Sequence, residues 1–440
     1  MKFKIRTLCA ALTLAASASS AHADDLLQIY QQALTNDPVV LQAKAQRDQL
    51  YEAIEENRAP LLPSISAAVG YDKAWMDPGK DTRGLTGTVS LNQVIYDHSA
   101  WVGLNLAEKA ASQADAIYAT SLQNLITRVT TAYFNVLLAN DTYVYQIAEQ
   151  RAIERQLEQT KQRFAVGLTA ITDVHEAQAQ YDLSTASVIS AKNELTNSYE
   201  ALREITGLDH SDLKVLDTNR FSASMPTPSK TEAWQKIAED SSLSLLTDRI
   251  AKDIAQETIT LRKAGHMPSL SLSAGYTKGL DQNTNGASEP DYDQSSIGLN
   301  LSIPIFEGFK VTSQVKQAQF AYVKASQALE QTHRQVIKSV RSDFNDVAAA
   351  ISSIKAYEQS VISSESALKA TQAGFEVGTR TIVDVLNSTR TLYNAKRQLA
   401  NARYSYINSV MALKQAAGTL NENDIAGINS GLTVETQPQP

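Results

Sequence analysis

Few residues of this 440-residue chain stand in patterns that could carry out covalent chemistry. The six histidines are scattered, and His175 with Glu176 lacks the second histidine that completes a zinc-binding helix. Gly374 and Gly378 imitate the spacing of a phosphate loop, but Arg380 and Thr381 replace its lysine and hydroxyl residue, and no βαβ context surrounds them. The single cysteine, Cys9, lies in an apolar N-terminal run, and no serine sits in a nucleophile-elbow pattern. No catalytic residue, metal site or cofactor is expected. What remains is a pair of acids, Asp173 and Asp384, each a few residues after a Val-Gly turn. An acid in the first turn of a helix gains about 0.3 to 1 kcal/mol from the macrodipole, and Thr381 with Asp384 fits a capping box. In the first copy Ala170 replaces the capping threonine while Asp173 is kept, which weighs against capping as the whole of the role.

The turns that carry these acids belong to a duplicated unit. RFAVGLTAITDV at 163–174 returns as GFEVGTRTIVDV at 374–385, and APLLPSISAAVGY, ending at Tyr71, returns as AGHMPSLSLSAGY, ending at Tyr276. Gly207 and Gly418 close the two copies, and the period of about half the chain marks one duplication, not a solenoid. Residues 24–221 form the first repeat and 222–426 the second. Each reads as a helix, two alternating strands, a very long helix, a tight turn and a second long helix. The predicted strands are about 64–76, 85–97, 269–280 and 296–306; the predicted long helices are 99–163, 168–206, 308–375 and 380–417. A leading helix is expected from Leu26 to Asn57, stopping before Pro60, and 427–440 reads as a disordered tail.

With only 18 glycines and 11 prolines, long unbroken helices are expected. The helix over 99–163 would reach roughly 100 Å. Leu104, Ala111, Tyr118, Leu125, Ala132 and Ala139 recur along it every seven positions, which is coiled-coil spacing. Taken alone, the helices fit a soluble rod as well as anything else.

The strands separate a rod from a channel. Ile65, Ala67, Val69 and Tyr71 alternate with Ser64, Ser66 and Gly70, and Leu85, Val89, Leu91 and Ile95 with Thr86, Thr88, Ser90 and Asn92. Leu270, Leu272, Ala274 and Tyr276 repeat the pattern, as do Ile297, Leu299, Leu301, Ile303 and Ile305 against Gly298, Asn300 and Ser302. About ten alternating residues are what a tilted strand needs to cross an outer membrane. Four strands are too few to close a barrel, so spanning requires several copies; two would fill their interior with side chains, whereas three leave a lumen. Residues 77–84 and 280–296 read as extracellular loops. A water-soluble sandwich with one buried face is the alternative.

Lys2, Lys4 and Arg6, the apolar run from Leu8 to Ala16 and the triplet Ala21-His22-Ala23 read as a secretory signal over 1–23. No later segment offers the 18 consecutive apolar residues of a transmembrane helix. A net charge of −7 argues against a nucleic-acid partner.

Signal, strand pairs, paired long helices and the doubled turn motif, with GFEVGTRTIVDVLNSTRTLYNAKRQLANARY after the second, together resemble the TolC family from Asp24 to about Asn429. The resemblance implies an α+β fold dominated by long helical coiled coils, and a homotrimer with a twelve-strand outer-membrane barrel, shared between protomers, on a twelve-helix periplasmic barrel. It implies a passive exit duct for tripartite efflux pumps or type I secretion. The partners implied are a periplasmic adaptor, an inner-membrane RND, ABC or MFS pump, and outer-membrane lipid. A periplasmic adaptor is the rival from another class, but its usual single hairpin fits poorly with two hairpins alternating with two strand pairs.

By the same resemblance, Val166, Gly167, Leu168, Val377, Gly378 and Thr379 are the tips that an adaptor grips. Arg380 with Thr172 and Asp173 form a latch between neighbouring hairpins, and Asp384 belongs to a carboxylate ring at the constriction. Phe375 stands where the family pattern has a tyrosine, and Asn387 where it has a second ring aspartate. A looser gate with weaker cation preference is the expectation.

Overall fold

In a computed structural model of the chain, residues 23–75, 81–284 and 286–434 are described. The signal expected over 1–23 lies outside them except for Ala23, as do Cys9, residues 77–80 of the loop read over 77–84, and the last six residues of the tail. The first repeat runs α1 (Leu26–Asn36), α2 (Pro38–Arg58), β1 (Ser64–Ala74), β2 (Thr82–Tyr96), α3 (His98–Ala165), α4 (Ile171–Thr206) and the short β3 (Val215–Leu216). The second runs α5 (Thr231–Ser241), α6 (Leu243–Lys263), β4 (Ser269–Thr284), β5 (Ala287–Ser288), β6 (Tyr292–Ser302), α7 (Lys310–Glu376) and α8 (Ile382–Ala416), followed by α9 (Glu422–Asn429) and β7 (Leu432–Thr433).

The four long strands lie in the order β1-β2-β4-β6, all antiparallel, so the two repeats join through β2 and β4. Register places the predicted apolar rows on one face, except Ile95, which falls in an irregularity of β2, and Ile303 and Ile305, which lie beyond the end of β6. Ile65 opposes Leu91, Leu91 opposes Ala274, and Ala274 opposes Ile297; Val89 opposes Tyr276, and Leu272 opposes Leu299. The other face carries hydroxyls in contact across strands, Ser66 with Ser90 and Thr88 with Thr277, each at 3.2 Å. The apolar side chains on the outer two strands are bare: Val69 is 78 % exposed and Ile297 is 80 % exposed. A sandwich would bury that face, so this reading is set aside.

Several boundaries differ from expectation. β1 ends at Ala74, β2 begins at Thr82, β4 continues to Thr284 and β6 begins at Tyr292. Most of the segment read as a loop over 280–296 is therefore strand, because backbone pairing such as Gly279 with Tyr292 persists beyond the apolar rows. β6 stops at Ser302 and not at 306: Pro304 has no N–H for the ladder. The leading helix is two helices. Asp37 ends α1, caps α2 through Val40 N–H, and places Pro38 at the first helical position, where proline is tolerated. The tail is ordered through residue 434: Asn421 and Asp424 form a capping box on α9, and β7 pairs with β3.

Helix α3, 68 residues long, carries the packing. Near its middle Leu125, Tyr133, Phe134 and Leu137 join Leu26, Ile29, Leu202 and Met411 in the largest core. Trp234, Leu245, Val340 and Leu413 form a second core beside it. A third, nearest the turns, holds Ile153, Leu157, Ala177, Ile382, Val385 and Leu386 and so ties both hairpins together. No helix among the described residues is long and apolar enough to cross a membrane.

One acid in this region sets a pH dependence. Asp343 on α7 borders a groove with Gln335, Ser339 and Gln415, and burial together with the nearby Asp346 charge raises its carboxyl to about 6. A carboxyl raised above its unfolded value favours the folded state fully below about pH 4, and that contribution is lost as pH rises through 6. Asp343→Asn is expected to stabilise the protein at pH 7.5 by about 1 kcal/mol after solvent screening, and to change nothing at pH 4. Urea unfolding at the two pH values measures the difference.

Candidate gate at the helical turns

Both Val-Gly turns are built alike. α3 ends at Ala165, and Gly167 follows at φ +75°, donating to Phe164 O at 2.9 Å, while Leu168 N–H donates to Arg163 O at 2.8 Å. α7 ends at Glu376, and Gly378 follows at φ +78°, donating to Phe375 O at 3.2 Å, while Thr379 N–H donates to Gly374 O at 2.8 Å. Left-handed backbone at the end of a helix favours glycine, which carries no Cβ penalty. Because Leu168–Ala170 and Thr379–Thr381 complete these reversals, α4 and α8 begin at Ile171 and Ile382, a little later than 168 and 380. Val166, Leu168 and Val377 project from the turns, each at least 70 % exposed.

The two acids are held by different local devices. Asp384 accepts from Thr381 N–H at 3.0 Å and from the Thr381 hydroxyl at 2.9 Å, and its own N–H donates to that hydroxyl at 3.2 Å. The backbone hydrogen bond from Thr381, then the side-chain one, then the Arg380 charge hold its carboxyl below the ordinary value, so it is ionised at neutral pH. Asp173 lacks such a cap, since Ala170 has no hydroxyl. Its carboxylate instead accepts from the Thr169 hydroxyl. Ala170 therefore weighs less against a local role for Asp173, because the neighbouring threonine supplies a partner.

The predicted latch residues do not meet within one protomer. Arg380 makes no hydrogen bond or ion pair to Thr172 or Asp173; its stem lies over Gly374, where a Cβ would come within 2.8 Å of Arg380 Cγ. Asn387 lies one turn beyond Asp384 and is exposed. Phe375 has a partner that the sequence did not reveal. The Arg163 guanidinium lies 4.5 Å from the centre of its ring, and Arg163 Nη1 donates to Phe375 O at 3.5 Å. The repeat held one clue: Arg163 aligns with Gly374, so the copies differ just before their shared phenylalanine. Among the described residues no group of three or more His, Cys, Asp or Glu is placed to hold a metal ion.

Comparisons with known proteins agree with this architecture. The chain matches the family described as Outer membrane efflux protein over residues 29–208 and 234–419, one segment for each repeat. Outer membrane protein TolC of Vibrio cholerae serotype O1 is 50 % identical, the match covering 98 % of this chain and 99 % of that one. The Proteases secretion protein PrtF of Dickeya chrysanthemi is 27 % identical over 94 % of this chain and 92 % of its own. Among solved structures, CusC, described in terms of transmembrane channel formation, superposes with a TM-score of 0.79 at 15 % identity, covering 89 % of this chain and 92 % of that chain.

Proposed function

Because this chain belongs to the outer membrane efflux protein family, we propose that three copies share one twelve-strand barrel in the outer membrane, with their helices forming one tube through the periplasm. The chain is an outer-membrane exit duct for efflux and secretion. Its relatives are channels, and it acts as a passive duct with no catalytic step of its own. The observation that carries this reading is the sheet. β1 and β6 leave unpaired edges, the apolar side chains on them are bare, and in hydrocarbon each unpaired backbone group costs several kcal/mol. Closure by neighbouring copies satisfies both edges and turns the apolar face toward lipid.

The turns form the periplasmic mouth. Arg380 of one protomer bonds Thr172 and Asp173 of its neighbour, and three copies of Asp384 ring the constriction. A periplasmic adaptor docks on the bare turn residues Val166, Gly167, Leu168, Val377, Gly378 and Thr379, and recruits an inner-membrane pump of RND, ABC or MFS type. In cells lacking their own exit duct, the wild-type chain is expected to restore drug efflux. Leu168→Asp with Val377→Asp is expected to abolish efflux while the trimer and its conductance persist. Efflux unimpaired by that pair of changes counts against docking at the turns.

Selectivity follows from the same ring. With Asn387 in place of an acid, the ring carries one carboxylate per protomer, and rings of carboxylates favour cations. Asn387→Asp is expected to raise cation over anion permeability and to strengthen block by divalent cations. Reversal potentials in a salt gradient measure the change.

A further inference from the structure

Resting on the reading that the turns form a gate, we propose that the stack of Arg163 on Phe375 is the clasp that holds the two hairpins of one protomer together when the gate is closed. Arg163 lies in the last turn of α3 and Phe375 in the last turn of α7, so the contact joins the ends of the two helices that enter the turns. Between the ion pair of Glu149 with Arg397 and the turns themselves, Arg163 to Phe375 O is the one hydrogen bond among the described residues that crosses from hairpin to hairpin. The ring also packs on the apolar cluster around Leu157, Ile382 and Leu386. It is thus fixed along one side by apolar contact and on its face by the guanidinium.

The neighbouring charges leave this task to the ring. Asp173 accepts from Thr169, and among the described residues no carboxylate pairs with Arg163. A guanidinium over an aromatic face is attracted by the ring quadrupole, which phenylalanine supplies without a hydroxyl. Phe375 therefore does not leave the gate unclasped for want of a phenol. Opening moves the second hairpin away from the first, and this separation breaks the stack and the hydrogen bond to Phe375 O together. The clasp acts within a protomer and Arg380 between protomers, so the two restraints are separable.

The test is single-channel conductance of the full-length trimer in planar bilayers. Phe375→Leu keeps an apolar side chain but removes the ring; Arg163→Gln removes the cation. Each is expected to raise conductance about threefold or more, and the double variant no further than either single one. Phe375→Tyr and Phe375→Trp keep a ring and are expected to conduct as wild type. Unchanged conductance in Arg163→Gln, or a double variant equal to the product of the singles, overturns the clasp. Arg380→Ala separates the two readings: if it opens the channel and Arg163→Gln does not, the gate stands and the clasp falls. If neither changes the current, both fall.

Discussion

Gly418→Ala is expected to cost more than about 4 kcal/mol and to leave little folded protein, whereas Gly207→Ala, at the matching point of the other repeat, costs about 1 kcal/mol. Both glycines end a long helix in left-handed backbone, at φ +73° and +69°. That strain is common to the two. The surroundings differ: a Cβ at Gly207 meets nothing within 4 Å, but at Gly418 it falls 2.2 Å from Ser241 O and 2.6 Å from Ser241 C. Those are backbone atoms at the break between α5 and α6, where Ser242 N–H already donates to Ala238 O. They cannot rotate away as a side chain would. The end of α8 is therefore seated directly on the α5–α6 break, and the chain can relieve the clash only by separating them. Equilibrium unfolding in urea, or the yield of heat-dissociable oligomer, compares the two variants; equal losses would mean that left-handed strain alone decides both.

Glu149→Ala is expected to destabilise the protein by about 3 to 5 kcal/mol. Glu149 Oε2 lies 2.9 Å from Arg397 Nη1, and both side chains are largely removed from water, 8 % and 20 % exposed. The pair joins α3 to α8, above the third core and below the hydrogen bond of Tyr404 to Asp141 at 2.6 Å. Truncating the acid leaves a largely buried guanidinium without its counter-charge. Replacing both partners with apolar residues of similar size, Glu149→Leu with Arg397→Met, removes the stranded charge and is expected to recover most of the loss. Urea unfolding of the wild type, the single variant and the double variant measures both steps. A single variant as stable as the wild type would show that water reaches Arg397 and screens it.

These contrasts show what was readable in the sequence. Strand faces were readable because a period of two survives any register that keeps one face apolar, and Ile65, Leu91, Ala274 and Ile297 fall in line. The turns were readable because Gly167 and Gly378 recur at one spacing in two copies. Pro38 is visible, but the helical period continues across it on both sides, so the sequence alone does not mark the break at Asp37. The break at Ser242 has no proline to mark it. β3 and β7 are two residues each, too short to show any period, and exist only because segments distant in sequence meet.

The candidate site was less readable than the fold. Thr169 four residues before Asp173 is a local pairing that the sequence permits, but it gives no sign of preference over other partners. Arg163 and Phe375 are 212 positions apart, and their contact depends on how two hairpins lean together. No periodicity within either hairpin encodes that angle. The bonds of Arg380 to Thr172 and Asp173 are proposed between protomers, and their partners lie on another copy of the chain.

If several copies close one barrel around an open lumen, the mass of the detergent-extracted particle before heating reports how many. A single species of three chains that falls to one chain on heating is expected. A stable monomer or dimer in the extracted membrane fraction would contradict it, because four strands cannot close and eight leave no lumen.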